Sequence, residues 1–289
     1  MKSYTKALCT AISATLLASC TAINQTASEI SKSTSNTAQT ENQTQQDTTI
    51  TTTATQTQIT ATTVTTVVTT VATTAATTTA AATATTAPSI PIKESYNGID
   101  VSRWQGTVDF ESVRQSGVEM VYIKAGDNYQ TDICFEQNAI NAENAGLLKG
   151  FYFYVTAGSV SEATAQAEYF AQLLSQKDFE CRPAVDFEAF GNLSVESINA
   201  IVLEFAQTVE EKTGVAPIFY TDADNADIWC EELTKYPLWI ADYDANPPAS
   251  IGKWQAYSGF QYSCTGVVEG ITENVVDLNI FTSDVLVVQ

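Results

Sequence analysis

From residue 97 onward the chain alternates short apolar runs with longer amphipathic stretches, and this alternation limits the folds open to it. The runs Gly98–Val101, Met120–Ala125, Leu148–Val155, Pro183–Phe187, Ala216–Tyr220, Pro237–Ala241, Lys253–Tyr257 and Phe260–Tyr262 are brief and rich in Val, Ile, Phe, Tyr or Trp, as strands are. Helices are predicted between the early runs. Phe135–Ala145 stops at Gly146, Ser161–Ser175 takes Ser161 as N-cap, and Ser194–Lys212 opens on Ser194 and ends at Gly214. Repeated strand–helix units predict a mostly parallel α/β sheet. The late runs follow one another without helices, which predicts an irregular TIM-like β/α barrel that finishes in antiparallel strands.

The N-terminal third is a different kind of sequence. All four Trp, every Phe and all but one Tyr lie beyond residue 95, which leaves about 190 residues to build one core. Met1–Lys6 is basic, and Ala7–Ala18 is apolar but too short to span a bilayer, as in an export signal. Leu17-Ala18-Ser19-Cys20 resembles a bacterial lipobox, in which the Cys carries lipid. Residues 1–19 are therefore expected to be a lipoprotein signal peptide, with Cys20 the lipidated residue. Residues 20–95 are expected to form a disordered Thr/Ala-rich stalk, reaching at most about 250 Å when extended. A folded domain over 96–289 completes the expected organisation. It would lie outside the cell, with membrane attachment only through lipid on Cys20.

Charge and residue usage narrow the function. The net charge is -20, and the first 95 residues balance four Lys against four acids, so the excess acidity belongs to the folded part. Nucleic acid, which needs a basic footprint, is excluded as a partner. The chain has no His, which removes Ser-His-Asp and Cys-His nucleophiles and His-ligated zinc. A hydrolase built from these residues must rely on carboxylates, Lys, Tyr or oxygen-held metals. Asp222-Ala223-Asp224-Asn225-Ala226-Asp227 superficially resembles a calcium loop, but it lacks Gly at the sixth position and has Leu233 where the twelfth should be Glu. No metal and no cofactor are expected. Cys134, Cys181, Cys230 and Cys264 allow three pairings, of which sequence order suggests Cys134 with Cys181 and Cys230 with Cys264, and free buried thiols are the alternative.

In parallel barrels, reactive groups gather at the C-terminal ends of strands. Asp100, Lys124, Tyr152, Tyr154, Asp186, Glu188, Tyr220 and Asp242 lie at or just beyond such ends, and Asp277 lies in the last segment. In Arg182–Phe190, alternation turns Val185 and Phe187 one way and Asp186 and Glu188 the other. Two acids side by side on a buried strand raise at least one pKa, so that one keeps its proton while the other ionises. Glycoside hydrolysis uses that division of labour.

The ordered motifs from Asn97 to Phe281 resemble glycoside hydrolase family 25, the lysozymes of the Chalaropsis type. They begin with Gly98-Ile99-Asp100-Val101-Ser102-Arg103-Trp104-Gln105-Gly106 and Tyr122-Ile123-Lys124-Ala125. Gly150-Phe151-Tyr152-Phe153-Tyr154 and Asp186-Phe187-Glu188 follow, then Pro217–Thr221, Leu238–Ala241, Gln261-Tyr262-Ser263 and Val276-Asp277-Leu278-Asn279. The resemblance implies cleavage of the β-1,4 bond between N-acetylmuramic acid and N-acetylglucosamine in peptidoglycan strands. It makes Glu188 the general acid and Asp186 a stabiliser of positive charge or an orienting group for the substrate acetamide. Asp100 and Asp277 match two further acids of the cleft. Tyr152, Tyr154, Tyr220, Trp239, Asp242, Gln261 and Tyr262 would contact sugars, and a monomer is expected. Phe260 replaces a usual Trp, and Lys124–Asp127 lacks a common Glu, which puts sugar affinity in doubt more than the reaction. A catalytically inactive module that binds wall glycan is the alternative.

Overall fold

The computed structural model describes residues 93–287. Its strands are β1 (Tyr96–Val101), β2 (Met120–Asp127), β3 (Gln130–Thr131), β4 (Leu148–Tyr154), β5 (Ala184–Asp186), β6 (Ile218–Asp222), β7 (Leu238–Ala241), β8 (Gly259–Gly266) and β9 (Val276–Phe281). The helices are α1 (Phe110–Gln115), α2 (Phe135–Asn144), α3 (Val160–Leu174) and α4 (Val195–Thr213). The sheet runs β1-β9-β8-β7-β6-β5-β4-β2-β3, and β1 also pairs with β2, closing a barrel with β3 as a short flap on β2. Pairings from β1 through β2 and β4 to β8 are parallel, and only β9 runs against its barrel neighbours. The expected barrel is present, but its antiparallel finish is one strand, because β8 is parallel to β7.

Other expectations need correction. Lys253–Tyr257 forms no strand. Trp254 instead lays its indole on Phe219 at 5.7 Å and donates Nε1–H to the Tyr236 carbonyl at 2.8 Å. Together with Trp229, which meets Phe219 at 4.7 Å, it covers β6 where the late strands have no helix. The N-cap of α3 is Ser159, not Ser161: Ser159 Oγ accepts the Glu162 N–H at 3.3 Å, and Glu162 reaches back to the Gly158 N–H. Helix α4 has the predicted Ser194 cap and ends at Gly214 in the left-handed region (φ 72°). Helix α1 was not foreseen, nor was Val276–Phe281 foreseen as a strand. Cys134, Cys181 and Cys230 are free, so neither expected disulfide pairing forms. The signal peptide, Cys20 and the stalk lie outside the described residues.

The lower half of the barrel is filled by aromatic rings. Tyr122, Trp239 and Phe281 pack with centroids 4.8–5.2 Å apart, all essentially buried. Glycines on facing strands make room for them. A Cβ on Gly98 would stand 2.5 Å from the Phe281 ring, and one on Gly150 would stand 2.6 Å from Tyr122. Gly98→Ala should therefore overpack the barrel and lower stability by about 1–3 kcal/mol, measured as a reduced midpoint in urea unfolding.

Candidate active site

The barrel is plugged from below and lined with acids above. Across β1 and β9, Asp100 stands opposite Asp277. Across β4, β5 and β6, Tyr154, Asp186 and Tyr220 share one level. Glu188 follows at the rim, just beyond β5. The acids form two interacting pairs, Asp186 with Glu188 and Asp100 with Asp277, each close enough for one carboxyl to change the ionisation of the other. Two carboxyls so placed cannot both ionise readily, and each pair favours holding one proton.

The electrostatics of the pairs follow from their positions. Burial, then the Glu188 charge and the hydrogen bond to Glu188, push Asp186 well above the usual carboxylate range, while Lys124 opposes the shift. Asp186 Oδ1 is buried with no hydrogen-bond partner among the described residues. Glu188 is also raised, first by the crowding of the barrel mouth, but the bond to Asp186 works the other way. That opposition makes its displacement the smaller, and its side chain is exposed at the rim. In the second pair, burial and the Asp100 charge push Asp277 well up. Burial raises Asp100 too, opposed by hydrogen bonds from Asn279, Gln261 and Asp277.

Eight of the eleven predicted catalytic and binding residues come together here: Asp100, Asp186, Glu188, Asp277, Tyr152, Tyr154, Tyr220 and Gln261. Burial first, then nearby acids, raises the Tyr152 and Tyr154 phenols, so both stay neutral donors at ordinary pH. Lys124 supplies the cation: its Nζ lies 2.8 Å from Asp127 and 5.1 Å from the centre of the Tyr154 ring. Arg103, stacked on Trp104 at 4.9 Å, extends this side of the rim.

Three predicted contacts are corrected. Trp239 is 2 % exposed and enclosed by Tyr122, Tyr220 and Phe281, so it offers no free face to a sugar. Asp242 turns away and accepts backbone N–H groups from Asp244, Ala245 and Ala249 at 2.9–3.1 Å, fixing its own loop. Tyr262 follows inward-facing Gln261, projects outside the barrel and is 38 % exposed. Lys124, Tyr243 and Asn279 were not among the predicted contacts, yet they line the site. Alternation would have found Tyr243: Trp239, Ala241 and Tyr243 share one parity, and Asp242 has the other. Asp222, in the calcium-like segment, bonds the backbone N–H and side-chain amide of Asn225 as a local turn.

Fold and site define a class: a closed β/α barrel of the glycoside hydrolase kind, with paired carboxyls at a strand end. The chain belongs to glycosyl hydrolases family 25, whose family model matches residues 99–271. It is 38 % identical over 194 residues to an autolytic lysozyme of Clostridium acetobutylicum, covering 66 % of this chain and 57 % of that protein. It is 32 % identical over 195 residues to lysozyme M1 of Streptomyces globisporus, covering 62 % and 65 %. The match thus spans less than two thirds of either relative's length. Among solved structures, a bacterial lysozyme from Streptomyces coelicolor superposes with a TM-score of 0.57 at 30 % identity, over 64 % of this chain and 91 % of that one. A family 25 lysozyme from Aspergillus fumigatus gives 0.55 at 25 % identity, over 65 % and 94 %.

The raised Asp186 pKa has a consequence for stability. A carboxyl whose pKa is higher folded than unfolded favours the fold while protonated, and that contribution is lost as pH rises through the folded value. Asp186→Asn should therefore melt at a higher temperature than the unmodified chain at pH 7, with the difference vanishing near pH 3. Thermal unfolding at the two pH values checks this.

Proposed function

We propose that this chain is an N-acetylmuramidase of the Chalaropsis type that hydrolyses the β-1,4 bond between N-acetylmuramic acid and N-acetylglucosamine in peptidoglycan. The observation that carries the reading is the Asp186–Glu188 pair: two carboxyls together at a strand end, one buried and one at the open mouth. The proton held by the pair passes to Glu188, the solvent-accessible member, which delivers it to the leaving glycosidic oxygen while Asp186 becomes the carboxylate. Proton transfer leaves negative charge below the sugar, where Asp186 stabilises the oxocarbenium-like transition state or orients the 2-acetamido group as internal nucleophile. Lys124 keeps the pair from binding a second proton too readily. Tyr152 and Tyr154 line the cleft as neutral hydrogen-bond donors, and Tyr220, its hydroxyl bonded to Gln261, completes the wall.

The same proposal covers location. An export signal ending at Cys20 and a Thr/Ala-rich stalk suit a wall-cleaving domain held by lipid at the outer face of a bacterial membrane, with glycan strands as its partner. Metabolic labelling with a radioactive fatty acid should mark the full chain and not Cys20→Ala.

In a peptidoglycan-embedded gel the full chain should clear its band, and Glu188→Gln should lose at least about 100-fold of the activity, the lower range for removing a general acid. Released fragments should carry reducing N-acetylmuramic acid ends by mass analysis. Reducing N-acetylglucosamine ends, or clearing retained by Glu188→Gln, would rule the assignment out.

A further inference from the structure

Asp100 receives more fixed donors than any other acid of the cleft. Its Oδ2 accepts one N–H from Gln261 and one from Asn279, each at 2.8 Å. The Asn279 amide is not free to turn over, and the Gln261 amide is anchored at its oxygen. Trp239 Nε1–H, which can only donate, points at Asn279 Oδ1 at 2.9 Å and so turns the Asn279 amino group toward Asp100. The Tyr220 and Tyr243 hydroxyls bond Gln261 Oε1 at 2.9 and 2.7 Å, and with its oxygen so occupied the Gln261 amino group faces Asp100. Gln261 and Asn279 are 3 % and 1 % exposed, so water cannot stand in for these partners. Two converging N–H donors stabilise a carboxylate far more than a neutral carboxyl. Among the described residues, no N–H donor reaches the Asp277 carboxyl opposite.

We propose that Gln261 and Asn279 are positioning residues: their locked amides hold Asp100 as an anion and leave the proton of the Asp100–Asp277 pair on Asp277. Gln261 thus acts through Asp100 and not as a direct sugar contact. Asp100 is faced by Tyr152 from β4, Asp186 and Glu188 from β5 and its end, Tyr220 from β6, Tyr243 from beyond β7 and Asp277 from β9. Lys124, at the end of β2, acts on Asp186 and Glu188. A permanent charge on Asp100 makes both of those carboxyls harder to ionise and so helps the pair keep its proton. That catalytic meaning rests on the hydrolase function proposed above. The protonation pattern itself does not.

The test is a carboxyl-carbon NMR titration of the full chain labelled at aspartate Cγ, with the two signals assigned through Asp100→Asn and Asp277→Asn. Asp100 should ionise at lower pH than Asp277. Gln261→Met and Asn279→Leu should each raise the Asp100 midpoint by about one pH unit, the size expected for one lost charge-stabilising hydrogen bond. Trp239→Phe, which frees Asn279 without removing it, should raise it by less. If the Asn279→Leu chain fails to fold by circular dichroism, Trp239→Phe and the Tyr220→Phe/Tyr243→Phe double variant carry the comparison. Earlier ionisation of Asp277, or an Asp100 midpoint unmoved in every folded variant, overturns the proposal. The titration needs no substrate, so its result stands apart from peptidoglycan cleavage.

Discussion

The open end of the molecule depends on how the sheet closes through β1. That strand hydrogen-bonds in parallel to β2 on one side and antiparallel to β9 on the other. Closure sets Asp100 opposite Asp277 and brings Asp186 and Glu188, on the far wall, within electrostatic reach of Asp100, and Glu188 within reach of Asp277 as well. In an open sheet these acids would be spread along an edge and solvated separately. In a ring they share one poorly hydrated space, where mutual repulsion forces them to hold protons. Closure requires the aromatic plug below, since a barrel of this size is filled by side chains. The plug in turn requires glycine at positions 98, 150 and 259.

The plug and the acids are one construction. Trp239 belongs to both: its ring fills the barrel beside Tyr122 and Phe281, and its N–H fixes the Asn279 amide beneath Asp100. Gln261 does a similar job on the other side, joined to two phenols from the β6 and β7 walls. Packing therefore decides which hydrogen-bonding atom each amide presents, and the amides decide which acid of the pair is charged. The chemistry of the cleft extends two residues down into its support.

Much of this was legible in the sequence, for physical reasons that also explain the misses. Strand and helix periodicities gave the barrel, because buried parallel strands are short apolar runs and helices carry capping signals. The Asp186–Glu188 pair stood out because acids are costly on a central strand. Residues near the ends of late strands were read by proximity to a motif when parity should have decided. Gln261 faces inward and Tyr262 outward for that reason alone, as do Tyr243 and Asp242 respectively. Lys253–Tyr257 has strand-like residues, but its Trp254 is taken by the outer face of β6, a tertiary demand that local preference cannot show. The cysteine pairing failed because order along the chain carries no information about distance.

The reversed direction of β9 has a steric outcome. Asp277 lies at the start of its strand, whereas the other site residues lie at or beyond strand ends. Because β9 runs back down the barrel, the chain finishes beside its own entry: Tyr96 pairs with Phe281, and Val285 bonds to Arg182 just below β5. Residues 93 and 287 therefore both emerge at the pole opposite the acids. The acid rim is thus built without a contribution from the first or the last described residues, and both strand ends that frame the barrel's seam lie at its plugged pole.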